Sequence, residues 1–149
     1  MRRQTQIPGN TCGIGLVDLV ITMAILGLLL GVSAPRMLGV ADRLITAQAQ
    51  EELVAVLYRA RLEARRHGGA VVEARSGEGI MVRVPGGGEV AWWEPDDPRT
   101  HFQVGGARDV AELSFGPAGT GRFANATLQV RRGRVTREVV VSSYGRIRR

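Results

Sequence analysis

Gly13 stands directly before an apolar run, Ile14 to Ala34, that holds a single ionisable side chain, Asp18, and stops at Pro35. The small residue lies on the near side of a membrane-sized segment. A secretory signal is cut after its apolar region and loses it. A cut after Gly13, in Thr11-Cys12-Gly13-Ile14-Gly15-Leu16-Val17-Asp18, keeps the run as the new N-terminus. Asp18 is the second group of interest. An acid costs on the order of 2.5–3.5 kcal/mol at a bilayer centre and less near its edge, whereas a helix N-terminus favours an anion. The third group is a set of arginines. Residues 122–149 carry Arg122, Arg131, Arg132, Arg134, Arg137, Arg146, Arg148 and Arg149 against Glu138 alone, a net charge of +7. Such a density exceeds what solubility needs and attracts polyanions through phosphate contacts and counterion release.

Other chemistries find no footing. His67 and His101 have no cysteine or histidine at metal-ligand spacing. All twenty basic residues are arginine, so no lysine is present for a P-loop or a Schiff base. There is no nucleophile elbow and no paired-acid glycosidase signature. Pro85-Gly86-Gly87-Gly88 is followed by neither helix nor lysine and reads as a hairpin turn. Asp96 and Asp97 are adjacent acids in a turn, expected to be solvated and not to hold calcium. No enzyme activity, cofactor or metal is expected. Cys12, the one cysteine, precedes the apolar run, which excludes both a lipoprotein signal and an intrachain disulfide.

The elements that must position these groups follow from periodicity. Twenty-one residues from Ile14 make a helix of roughly 31 Å, close to one hydrocarbon thickness. Arg2 and Arg3 on its leader side, without an acid, keep that side cytoplasmic. Beyond Pro35, accommodated as a kink, Leu38, Ala41, Ile45, Ala49, Leu53, Val56, Ala60 and Ala64 step at helical spacing. His67-Gly68-Gly69 is a stop signal. Strands are predicted over 70–75, 80–84 and 89–93, around 127–130, and over 138–143. Trp92 and Trp93 should then face opposite ways, one into the core and the other toward a subunit.

The N-terminal stretch resembles the prepilin cleavage and methylation motif of type IV pilins and of type II secretion pseudopilins. Gly13 matches the residue before the cut, Leu16-Val17 the usual pair, and Pro35 the proline at the twenty-second mature position. Ile14 replaces the commoner phenylalanine and Asp18 the usual glutamate. The resemblance implies that a prepilin peptidase cuts after Gly13 and methylates Ile14. It also implies that Asp18 pairs with the N-terminal amine of a neighbouring subunit. Further on, Leu113-Ser114-Phe115-Gly116-Pro117-Ala118-Gly119, the strand around Thr127 to Val130, Glu138 to Ser143 and Gly145-Arg146-Ile147-Arg148 are similar to the GspH/FimT subfamily.

The implied fold is α+β, a long helix, transmembrane in its first half and amphipathic in its second, packed on a small antiparallel β-sandwich. The implied parts are a cleaved leader (1–13), a transmembrane assembly segment (14–34), an amphipathic helix (35–69) and a periplasmic β-rich domain (70–149). The implied role is a minor subunit of a type IV filament machine in the bacterial inner membrane, either a secretion pseudopilus or a pilus. Its partners would be other pilins or pseudopilins, the peptidase and the assembly platform. Gly145-Arg146-Ile147-Arg148 also resembles the Gly-Arg-X-Arg motif of DNA-uptake minor pilins. Arg131, Arg132, Arg134, Arg146, Arg148 and Arg149 are thus the candidate DNA contacts. A solitary membrane-anchored polyanion binder is the remaining alternative.

Overall fold

The computed structural model describes residues 15–106, 108–122 and 124–149, with the side chains of 32–38 outside that description. One helix, α1, spans Leu16–His67. Asp18 in its first turn and Arg65, Arg66 and His67 in its last complement the helix dipole at both ends. Gly68, at φ 78, ends it, because the left-handed turn that closes a helix costs glycine nothing. The chain divides into two compact units, residues 1–38 and 39–149. In the first, every described side chain from Leu16 to Gly31 is exposed.

Among its described residues the second unit holds nine strands in two antiparallel sheets. β1 (Ala70–Arg75), β2 (Gly79–Arg83), β3 (Glu89–Trp93), β5 (Val110–Phe115) and β6 (Gly121–Arg122) form one sheet in the order β3-β2-β1-β5-β6. β4 (Thr100–Val104), β7 (Ala126–Arg132), β8 (Val135–Val141) and β9 (Ile147–Arg148) form the other, in the order β4-β7-β8-β9. Alternation sets the inner faces. Ala70, Val72 and Ala74 of β1 are buried while Val71 and Arg75 are exposed. Phe102, Phe115, Leu113, Leu128, Val130 and Val139 complete a core into which α1 sends Leu53, Leu57, Ala60 and Ala64. Alanine at 49, 60 and 64 lets the helix approach closely. The fold is the expected α+β arrangement of a helix on antiparallel sheets.

The buried stripe of the helix differs from the one its apolar residues outline. Ala49, Leu53, Ala60 and Ala64 are buried as expected, but Val56 is half-buried and Ala41 is exposed. Thr46, Gln50, Val54 and Leu57 face inward as well. The two polar members are satisfied locally. The Thr46 hydroxyl donates to the Asp42 carbonyl (2.6 Å), and Gln50 Nε2 donates to the Glu138 carbonyl of β8 (2.8 Å). A buried polar group with its hydrogen bond made costs little.

Backbone bonds couple the two sheets. Gly77 N–H donates to the Phe102 carbonyl at 2.9 Å, and Val104 N–H to Ser76 Oγ at 3.0 Å. Elsewhere Gly121 N–H donates to the Tyr144 carbonyl at 3.0 Å. At that contact a Cβ on Gly121 would lie 2.4 Å from the Gly145 nitrogen, so neither backbone admits a side chain. The turn after Phe115 is fixed to the helix, since Arg61 Nε donates to the Gly119 carbonyl at 2.9 Å and Arg65 Nε to that of Ala118 at 3.3 Å.

Candidate assembly and polyanion-contact surfaces

Asp18 lies in the first turn of α1, exposed, with its own N–H donating to the Gly15 carbonyl at 2.9 Å. A carboxylate there benefits from the unpaired N–H groups of the turn. Around it Leu16, Val17, Leu19, Val20 and Ile21 are each at least half exposed. Gly13 and Ile14 lie outside the described residues, and so does the side chain of Pro35. Among the described residues no helix is long and apolar enough to cross a membrane. The run expected to cross, 14–34, extends at both ends past the residues whose side chains are described.

The C-terminal arginines do not form one patch. Arg131 and Arg134 flank the β7–β8 turn, both exposed. Arg148 pairs with Val140 near the far end of β8, and Arg146 precedes it in the turn that leads into β9. Val135, next to Arg134, and Val140 are five positions apart, about 17 Å along the strand. Arg146 and Arg148 are exposed, Ile147 is half-buried against the core, and neither arginine side chain has a partner among the described residues. Arg149 is half committed. Its Nη2 lies 2.7 Å from Glu51 Oε2, an exposed pair of small energetic weight.

Arg132 leaves the candidate set. It is buried, its Nε donates to Asp42 Oδ1 at 2.8 Å, and a terminal guanidinium nitrogen pairs with Asp97. The arginine thereby joins helix α1, strand β7 and the loop before β4. Its hydrogen bond holds the Asp97 carboxyl below the usual carboxylate range, aided by the Thr100 hydroxyl at 3.1 Å and the Arg99 N–H at 2.9 Å. Asp97, then Asp42, raise the arginine in turn. This corrects two expectations. Arg132 is a structural cation, and Asp97 is an engaged acid whose Oδ2 takes the Arg132, Thr100 and Arg99 contacts. Among the described residues no group of three His, Cys, Asp or Glu side chains is placed to hold a metal.

Trp93 is buried and meets Phe102 edge-on, ring centroids 5.5 Å apart at 82°, whereas Trp92 is 47% exposed. Trp93 Nε1 donates to Glu52 Oε2 of the helix at 3.3 Å. That bond, between residues 41 positions apart, does not follow from the local sequence.

A long helix laid on an interlocked pair of antiparallel sheets is the geometry set beside known proteins. No protein-family model matches the sequence, and no curated protein is similar to it. Among solved structures the chain is similar to the type IV minor pilin FimU of Pseudomonas aeruginosa strain PAO1, with a TM-score of 0.50 and 24% identity. The match covers 68% of this chain and 90% of that one. The fold is pilin-like. At that identity the likeness speaks for the fold and for nothing finer.

Proposed function

We propose that the chain is a minor subunit of a type IV filament machine, incorporated at low copy. The observation that carries this reading is a pilin-like domain built on a helix whose first turn holds an exposed acid within an uncovered apolar run. In this reading a prepilin peptidase cuts after Gly13 and methylates Ile14. Residues 14–34 anchor the chain in the bacterial inner membrane, and the domain faces the periplasm until the helix is drawn into the filament. Other pilins or pseudopilins and the assembly platform are its partners. Asp18 offsets the new N-terminal amine of an adjacent subunit, an ion pair strengthened by the low dielectric between helices. The machine is a type II secretion pseudopilus, exporting folded proteins, or a type IV pilus. Asp18→Ala should be cleaved normally yet be missing from sheared filaments, as read by immunoblot of filament and membrane fractions. Incorporation at the unmutated level would remove Asp18 from assembly.

A second reading, uptake of DNA, draws on Arg146 and Arg148, whose side chains stand exposed without partners among the described residues. Contacts would go to phosphates, since among the described residues no helix is placed to read base edges. Binding is then sequence-independent and steeply salt-dependent. Titration of labelled duplex at two salt concentrations should show Arg146→Ala with Arg148→Ala binding several-fold more weakly, the log–log slope flattened by roughly one per lost contact. No binding by the unmutated chain at low salt ends this reading and leaves those arginines to protein contacts or solvation. A solitary membrane-anchored polyanion binder would keep the DNA result but lose the Asp18 effect.

A further inference from the structure

The two sheets offer four strand edges, and the molecule covers them unequally. The outer edge of β4 is taken by Gly77 N–H and Ser76 Oγ. β8, where β9 ends, gives its Glu138 carbonyl to Gln50 of the helix. β6 and β9 are two residues long. β3 is different. It ends its sheet, and among the described residues no backbone group of Glu89–Trp93 has a hydrogen bond beyond those to β2. An unpaired row of N–H and C=O groups is a template for another strand.

A groove of about 470 Å³ runs beside this edge, with Ala55 and Val56 of α1 on one wall and Trp92 and Trp93 on the other. Successive residues of a strand point to opposite faces, so a hollow touched by both tryptophans follows the strand's edge. Acids mark its length. Glu94 and Asp96 lie at the end of β3, both exposed and without an ion-pair partner among the described residues, and Glu89 begins the strand. A second copy pairing antiparallel about a two-fold axis would bring Glu89 of one chain toward Glu94 of the other, opposing like charges. The charge therefore favours a partner of the opposite sign.

We propose that β3 receives an extended, arginine- or lysine-bearing segment of a neighbouring protein as a sixth strand of its sheet. Main-chain bonds would supply affinity, the exposed Trp92 and the helix wall would cover alternate side chains, and the acids would select a basic segment. The filament reading is used only to name a neighbouring subunit as the protein that supplies it.

The test uses the full chain in detergent micelles and the synthetic peptide Arg-Val-Thr-Val-Thr-Val-Arg, with amide hydrogen exchange as readout. Two control peptides carry glutamate in place of arginine, or proline in place of the central valine. The basic peptide should slow exchange within 89–93 by roughly tenfold or more, while neither control does. Glu94→Arg with Asp96→Arg should weaken that binding about tenfold with the thermal midpoint unchanged. Equal protection by the proline peptide would reduce the effect to charge alone and overturn the proposal, as would protection outside β3 or none. Protection that grows with protein concentration in the absence of peptide would assign the edge to a second copy instead. Asp18→Ala should bind the peptide as the unmutated chain does. Peptide binding by an unmutated chain that is never found in filaments would sink the filament reading and leave this one standing.

Discussion

Gly13→Arg should leave the full-length, unmethylated precursor in the membrane, whereas the unmutated chain should begin at methylated Ile14. The expectation rests on size. A peptidase that cuts beside an apolar helix must bring the scissile carbonyl to its catalytic groups, and a long charged side chain next to that bond displaces it. A misplacement of about 1 Å costs on the order of a hundredfold in rate, so the effect should be close to all or none. Intact-mass spectrometry of membrane extracts separates the two species, which differ by the thirteen leader residues and a methyl group. Normal maturation of the variant would end the processing reading.

Phe102→Ala should be the most damaging single change to the domain. Phe102 is 1% exposed, joins the core from β4 and packs edge-on against Trp93. Truncating a buried phenylalanine costs about 3–5 kcal/mol, and the lost aromatic pair adds about 0.5–1.5 kcal/mol. Against a typical stability of about 5–15 kcal/mol, that is enough to unfold a large share of molecules near physiological temperature. Trp92→Ala, at the half-exposed neighbour, should lie within about 0.5 kcal/mol of the parent. Denaturant titration followed by tryptophan fluorescence compares them, with Trp93 reporting on the core. Equal, small effects would mean that β4 does not close the core as described.

The two tryptophans show what the sequence makes plain. Alternation alone separates Trp92 from Trp93, and a valine- and tryptophan-rich run between glycine and proline signals sets β3 at its observed bounds. His67-Gly68 marks the helix end because glycine adopts the left-handed turn freely. β4 was invisible for an equally physical reason. Thr100-His101-Phe102-Gln103-Val104 alternates correctly but has only two large apolar residues, and its place is set by Ser76 and Gly77 far back in the chain. Arg132 reads as a surface arginine in the sequence because its partner on the helix, Asp42, lies 90 positions away. Only tertiary structure turns one arginine among eight into a buried clasp. The division of the remaining arginines depends on how β9 registers with β8, Val140 against Arg148.

Chain order gives the paired sheets a kinetic signature. β4 belongs to the second sheet yet is threaded between β3 and β5 of the first, and β1 must wait for β5, some forty residues on, to complete its pairing. Neither sheet can therefore be finished by local hairpins before the other begins. Loop-closure entropy is spent on distant partners first, and barrels and sandwiches of this sort fold in milliseconds to seconds. During that interval the half-built sheets expose apolar strands. A newly made domain would depend on rapid closure of the Gly77–Phe102 and Gly121–Tyr144 backbone contacts to escape aggregation, and a lesion at either end should appear as a slower refolding phase before it appears as a lower melting point.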